Sequence, residues 1–335
     1  MGKKVYRKRD GAGRPELVAC ETRLMFAVTM IADINQQPAD DQPHFVPISI
    51  GDVAYLFKTD VEHGEELWRT DGTTAGTWLV KDINAGRLSS TGVPYSQFAA
   101  TPDGTIYFPA KTQDGDELWE SDGTEAGTFE VEDINPGSAS SIPNYVTATP
   151  SGVFFLAADP VHGRELWFSD GTTDGAHLVK DLNPGVGGGG GTIAYLDGNA
   201  YFGGTDGTPG GDGLWRSSGA VGDVTQVISN TLLRSATNIV AFDHRLYITD
   251  GVGGLWTSDG SAAGTKLLVQ MNSQTYWRFA VTGQTLFYTT YSTAAGGGFY
   301  RIDAGSTIST TIAVSDPIEL KVVGSDLYYV QSSGI

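Results

Sequence analysis

Paired oxygen-bearing side chains are the first chemistry this sequence offers. Asp33 and Asn35, Asp82 and Asn84, Asp133 and Asn135, and Asp181 and Asn183 each place a carboxylate and an amide two residues apart, on one side of a strand end. That is chelate-like spacing for Ca²⁺, which makes Asp82, Asn84, Asp133, Asn135, Asp181 and Asn183 the metal candidates. A hard cation needs about six to eight oxygens, however, and no Asp-x-Asp-x-Asp-Gly loop is present. Asx-turns ending a strand explain the same residues, so no cofactor is expected beyond this Ca²⁺ alternative. The 5 histidines give no acid-base constellation. His63 and His162 precede Gly in equivalent loops, while His44, His177 and His244 fall in separate segments. Neither a Ser-His-Asp arrangement nor a His-x-x-x-His pair can be read from them. The expectation is a protein that is not an enzyme.

The aromatics offer binding instead. Of 7 tryptophans, Trp78 and Trp277 stand outside the repeat described next. Tyr276-Trp277-Arg278 lies at the expected entry to a strand, where an aromatic beside Arg would stack on a sugar ring or anchor a partner protein. Local packing is the competing reading. The glycine-rich stretch from Gly185 to Gly191 is a loop with no following helix to make it a phosphate cradle.

These residues must be positioned by a repeat. Glu-Leu-Trp occurs at 66–68, 117–119 and 165–167, and Gly-Leu-Trp at 213–215 and 254–256. The Trp separations of 51, 48, 48 and 41 residues suit a four-stranded propeller blade rather than a short solenoid coil. A weaker sixth copy has Tyr300 in place of Trp. Alternation and turn signals predict strands at 44–50, 53–58, 66–70 and 77–83, and at 97–101, 105–110, 117–121 and 128–134. Later copies run over 145–182, 192–228, 238–271 and 278–314. Two further strands, 318–323 and 326–330, leave a half-blade that the N-terminus can complete. Lys4 to Gly11 aligns with Glu66 to Gly72, and Leu24 to Ile34 with a fourth strand. The fold expected is all-β: a seven-bladed β-propeller in one domain, residues 1–335, whose last blade joins 1–34 to 317–335.

A net charge of -18, from 39 acidic and 21 basic residues, repels nucleic acid and anionic lipid. Lys3, Lys4, Arg7, Lys8, Arg9 and Arg14 form a basic terminal run, read as a solvated strand. Cys20 is the single cysteine, so no internal disulfide forms. Leu17 to Cys20 looks like a lipoprotein cleavage box but lacks the apolar stretch before it, and no export signal or membrane span is expected.

The residues Glu117-Leu118-Trp119, Ser121-Asp122-Gly123-Thr124, Gly127-Thr128 and Asp133-Ile134-Asn135-Pro136-Gly137 resemble the bacterial ELWxxDGT repeat family, and Glu165 to Gly185 is nearly as close. The resemblance implies bacterial, secreted or surface-attached repeat proteins with no defined activity. The Asp-Gly turns at 71–72, 122–123, 170–171 and 259–260 are also similar to the Asp-box of sialidase propellers, where the turn is structural. A sialidase would need three first-strand arginines, and only the strand beginning at Arg278 supplies one. Quinoprotein and WD-repeat signatures are missing. The expected function is a non-catalytic binding or scaffold module, for adhesion or assembly through protein or glycan contacts on the face carrying the Asp-Ile-Asn-Pro-Gly loops. The alternatives are a lectin with aromatic-lined carbohydrate sites and a hydrolase-type propeller enzyme. The expected partner is protein or carbohydrate, with no nucleic acid and no membrane insertion; a component of a larger assembly is the further alternative.

Overall fold

The structure, a computed structural model, describes residues 4–8, 15–19, 47–91, 98–185, 191–229, 233, 236–271, 276–291, 298–313, 317–323 and 326–331. Turn chemistry every few residues divides the chain into short strands that pair in sequence order. The chain forms two compact units, Thr29–Gln226 and Met1–Val28 with Val227–Ile335.

The first unit holds four antiparallel sheets of four strands each. They are Ile48–Ile50, Val53–Asp60, Gly64–Thr70 and Trp78–Lys81; Ala99–Ala100, Ile106–Thr112, Gly115–Ser121 and Thr128–Glu132; Asn144–Thr149, Gly152–Asp159, Gly163–Ser169 and Ala176–Lys180; and Ile193–Leu196, Asn199–Gly204, Gly213–Ser217 and Thr225–Ser229, the last crossing the unit boundary. The second unit holds Ala236–Phe242, Arg245–Asp250, Gly254–Ser258 and Lys266–Gln270, and then Tyr276–Thr282, Thr285–Tyr291, Gly298–Asp303 and Thr310–Ala313. Its third sheet is assembled from both ends of the chain. Pro317–Val323 and Asp326–Gln331 pair with Lys4–Lys8, in the register Val5 opposite Tyr328, and Pro15–Ala19 lies outside Lys4–Lys8. The expected outer strand at Leu24 to Ile34 lies outside the described residues, and Pro15–Ala19 occupies that place in the sheet.

Second strands are buried on both faces, and their sequences are correspondingly continuous apolar runs. Val153, Phe154, Phe155, Leu156 and Ala157 are all at most 1 % exposed. Three of the repeated tryptophans pack against the preceding sheet. Trp119 joins Tyr55, Phe57 and Leu67; Trp167 joins Tyr107, Val131 and Ile134; and Trp215 joins Phe154, Leu156 and Val179. A flat indole fills the wedge between two twisted sheets.

The Asp-Gly-Thr turn between third and fourth strands forms the other half of this seam. Asp122 Oδ1 accepts from Thr124 N at 2.8 Å and Thr124 Oγ1 at 2.6 Å, and Thr124 Oγ1 accepts from Gly127 N at 3.0 Å. The hairpin therefore closes on itself, with Gly123 at φ +86°. The turn's glycine then meets the aromatic of the preceding sheet. A Cβ would lie 2.3 Å from Tyr55 Oη at Gly123, 2.2 Å from Tyr107 Oη at Gly171, and 3.1 Å from the Phe154 ring at Gly219. Backbone bonds complete the seam, Asp174 N donating to Val131 O at 2.9 Å and Gly222 N to Val179 O at 2.6 Å.

Gly72 has the same turn and a φ of +85° but nothing within 4 Å of its would-be Cβ, so it isolates backbone strain from seam contact. Gly72→Ala is expected to cost about 1–2 kcal/mol, and Gly171→Ala about 1–3 kcal/mol more through overpacking. Tyr107→Phe in the Gly171→Ala background should recover part of the difference. Urea denaturation measures all three, and equal costs at Gly72 and Gly171 would sink the seam.

Candidate functional site

The most elaborate polar arrangement is built on the Glu of each Glu-Leu-Trp. Glu66, Glu117 and Glu165 are at most 1 % exposed. Their carboxylates are satisfied by the chain leaving the fourth strand. Glu66 Oε2 accepts from Ile83 N at 2.9 Å and Oε1 from Asn84 N at 3.1 Å. Glu117 Oε2 accepts from Ile134 N at 3.2 Å and Oε1 from Ser141 N at 2.9 Å, and Glu165 Oε1 accepts from Asn183 N at 3.1 Å. Burial pushes all three carboxyls up to about 7, against the opposing pull of these hydrogen bonds.

The Asp-x-Asn pairs belong to the same loops. Asp82 Oδ2 accepts from Gly86 N and Asp133 Oδ2 from Gly137 N, each at 3.1 Å. Asn84 Nδ2 donates to Ser89 O at 2.9 Å and Asn135 Nδ2 to Ser140 O at 3.1 Å. These are turn-forming roles within one loop. Among the described residues no three His, Cys, Asp or Glu side chains converge as a metal group. Asp181 and Asn183 end the third sheet's outer strand beside Glu165, and Asp33 and Asn35 lie outside the described residues. His63 and His162 are equivalent, as expected, and each rests on an Asp of its own loop: His63 Nδ1 bonds Asp60 Oδ2 at 2.8 Å and His162 Nδ1 bonds Asp159 Oδ2 at 2.6 Å. The hydrogen bond that each ring donates to Asp60 or Asp159 raises the imidazole above its ordinary range.

The two tryptophans outside the repeat separate sharply. Tyr276, Trp277 and Arg278 lie within the strand Tyr276–Thr282, not in a loop before it. Trp277 is 8 % exposed and packs with Phe242, Tyr247 and Leu286, its ring 5.8 Å from Tyr288. Strand alternation turns Arg278 to the opposite face, where it is exposed. Trp277 is therefore a core residue, and the sugar-stacking placement expected for it is corrected. Trp78 is 42 % exposed at the start of its strand, at the opposite end of the sheet from the Asp-Ile-Asn loop. The Arg69 guanidinium lies 4.3 Å from its ring centroid, directly across the strand pair.

One open cleft escaped the sequence reading. About 300 Å³ is bounded by the first-to-second-strand turns of neighbouring sheets, at Thr101, Asp103 and Thr105 and at Ser151, together with Tyr107 of a second strand and Asp170 of a third-to-fourth-strand turn. Burial and the nearby carboxylates of Glu120, Asp103 and Asp170 raise the Tyr107 hydroxyl above its ordinary range. No sequence signal joins these turns, because they come from separate copies of the repeat.

The fold defined by these sheets is all-β and propeller-like. No known protein family and no curated protein matches the chain. Among solved structures it is similar to a prolyl endopeptidase (14 % identity, TM-score 0.53, 86 % of this chain and 46 % of that one) and to a Mycobacterium tuberculosis puromycin-hydrolyzing peptidase (13 %, 0.54, 85 % and 48 %). It is also similar to the GH74 xyloglucanase from Xanthomonas campestris (14 %, 0.52, 79 % and 44 %). The chain thus spans less than half the length of these three neighbours, and identities this low establish the fold alone.

Trp277→Ala should cost about 3–5 kcal/mol, as a large buried side chain does, whereas Trp78→Ala should stay within about 1 kcal/mol. Chemical denaturation of the two variants distinguishes a core tryptophan from a surface one, and a larger loss at Trp78 would reverse the assignment.

Proposed function

We propose that the chain is a non-catalytic binding or scaffold module, making protein or glycan contacts through an exposed surface rather than a reaction centre. It is read as a member of the ELWxxDGT repeat family, and its sheets as the seven blades of a closed β-propeller whose last blade joins the two termini. The observation that carries the binding reading is Trp78, held flat over Arg69 and 42 % exposed. A scaffold gains little by leaving an indole in water, and an aromatic face is what a pyranose ring or a partner's apolar side chain stacks on. The repeated polar residues support the same view, since the turn Asp, the third-strand Glu and the crossover Asn are all engaged in holding the fold. The lectin reading is favoured by the same Trp78 surface, and it places the contact at the Asp-Gly-Thr end of the sheet. Secretion or surface attachment remains what the family resemblance suggests.

A glycan array probed with wild type and Trp78→Ala tests the lectin form of this reading. A sugar signal lost in the variant, with the circular dichroism unchanged, is expected; signal that survives in Trp78→Ala removes Trp78 as the contact. Turnover of a peptide or glycoside panel by the purified chain would overturn the non-catalytic reading. The ring closure has its own test, because deleting residues 1–34 should open the last blade and lower thermal stability. An unchanged melting temperature would break the seven-blade proposal.

A further inference from the structure

The loops that leave the fourth strands carry a consequence that a binding role does not require. In the first sheet the loop from Asp82 to Thr91 folds back over the start of its own third strand. Ser90 N donates to Glu65 O at 2.9 Å, and Glu65 N donates to Ser89 Oγ at 3.2 Å. Close approach is permitted by glycine: a Cβ at Gly64 would lie 2.6 Å from Leu88 O, and one at Gly115 would lie 2.1 Å from Ala139 O. The second sheet repeats the arrangement, with Ile142 N donating to Asp116 O at 3.2 Å and Ser141 Oγ to Glu117 Oε2 at 2.5 Å. Each loop also grips the next sheet. Lys111 N donates to Ser90 O at 2.7 Å and Ala158 N to Ser141 O at 2.8 Å.

At the centre of each loop sits a carboxyl with no cation. Among the described residues neither Glu66, Glu117 nor Glu165 forms an ion pair with Lys or Arg. Lys58 stands across the strand pair from Glu66, whereas Ala110 stands opposite Glu117 and Ala157 opposite Glu165; the other ionisable groups acting on the three are mostly acidic. Asp82 faces Glu66, with His63 acting on Asp82 in turn; Glu130 faces Glu117; and Asp181 and His162 face Glu165. A buried carboxylate among like charges is costly, while a buried carboxylic acid is not.

We propose that the loops 82–91 and 133–142 are pH-sensitive latches: each stays closed while its central Glu is protonated and loosens when that Glu ionises, releasing its hold on the following sheet. Opening returns the carboxyl to water and to its ordinary value of about 4.5, whereas the closed latch holds it near 7. The closed form therefore binds the proton more tightly, so its advantage is full at acidic pH and is lost as pH rises through about 7. Opening should increase on the order of fifty-fold per latch from about pH 5 to about pH 8. His63 acts in the same sense on the first latch, its protonated form facing Asp60 and Asp82. Among the described residues no histidine acts on Glu117 in the second latch; the carboxyls nearest it are Glu130, also pushed up to about 7 by burial, and Asp116, which accepts from Ser140 Oγ at 3.0 Å. Leu88 and Ile142, 62 % and 41 % exposed, ride on the two loops, so latch state also sets how these apolar side chains are presented.

Amide hydrogen exchange read by NMR tests this on the full chain, corrected for intrinsic exchange chemistry. Protection at Ile134 and Ser141, whose amides donate to Glu117, should fall by tens-fold between about pH 5.5 and about pH 8. Glu117→Gln should flatten that profile while leaving the pH dependence at Ile83 and Asn84, which report on Glu66, intact. Corrected protection that is constant with pH in wild type overturns the proposal, as does pH dependence that persists at Ile134 and Ser141 in Glu117→Gln. Where that variant does not fold, the carboxyl carbon of Glu117 in wild type gives an independent reading. A titration near neutrality supports the latch, and one near 4.5, the ordinary glutamate value, overturns it.

Discussion

Burying a carboxyl that forms no ion pair among the described residues is the constraint from which much of this structure follows. Glu66, Glu117 and Glu165 occupy the interior end of a third strand, and backbone N–H groups that follow the fourth strand satisfy them, joined at Glu117 by the Ser141 hydroxyl. The crossover cannot then leave its sheet by any route. It must turn back across the third strand, which in turn requires Gly64 and Gly115 beneath it, where any Cβ would strike a loop carbonyl. Because the returning loop ends in a carbonyl that accepts from the next second strand, one buried side chain sets the spacing between two sheets. The repeat length is held by that chain of hydrogen bonds as much as by hydrophobic packing.

Where the Glu is missing, a different solution fills the same space. Gly213 and Gly254 stand two residues before their tryptophans, as Glu does in the first three copies. The indole N–H then finds a partner: Trp215 Nε1 donates to Gly204 O at 3.0 Å, and Trp256 Nε1 donates to Asp250 Oδ2 at 2.8 Å. In the three Glu-bearing copies the indole nitrogens of Trp68, Trp119 and Trp167 are buried without a hydrogen-bond partner among the described residues. A Cβ at Gly254 would lie 2.7 Å from Trp256 Nε1 and 2.5 Å from Asp250 Oδ2, so in the fifth sheet a Glu at this position would collide with the indole's hydrogen bond. What reads in sequence as decay of the motif is, at this position, an exchange of one hydrogen-bonding scheme for another.

The sheets were legible because each strand carries its own evidence in period and turn residues, and the Trp-to-Trp spacing counts sheets without reference to contacts. Side-chain destinations were less so. Trp277 read as a possible ligand contact because it breaks the repeat, yet alternation within Tyr276–Thr282 turns it onto Tyr288. The cleft beside Tyr107 depends on turns some fifty residues apart. Motif identity also misleads about place. Thr205-Asp206-Gly207-Thr208 reproduces the Asp-Gly-Thr hydrogen bonds, with Asp206 Oδ1 accepting from Thr208 N at 3.0 Å, but it joins second to third strand, at the other end of its sheet. The turn chemistry is local and portable, whereas the seam against an aromatic is a property of position.

The turn Asp and the third-strand Glu thus fall into opposite ionisation classes, set by each residue's partners and burial rather than by sheet end, since Asp60 and Asp159 near the crossover are lowered and Glu120 beside the turn is raised. At the turn end, the side-chain hydroxyl of Thr73, Thr124 or Thr172, joined by the backbone N–H of the same residue, donates to Asp71, Asp122 or Asp170 and holds each carboxyl below its ordinary range. Those turns contribute their stability above the ordinary aspartate value and lose it as pH falls through the lower folded value. At the crossover end, burial holds Glu66, Glu117 and Glu165 up near 7, and the contribution runs the other way, being lost as pH rises through that value. Between those limits both ends of a Glu-bearing sheet are in their favoured protonation states. The fifth sheet keeps the Asp turn at Asp259, the fourth replaces it with Ser218 donating to Asp223, and with Gly213 and Gly254 in place of Glu both lack the buried crossover Glu. Rising pH therefore acts on the Glu-bearing sheets, and the response of this fold to pH is graded along the chain rather than uniform.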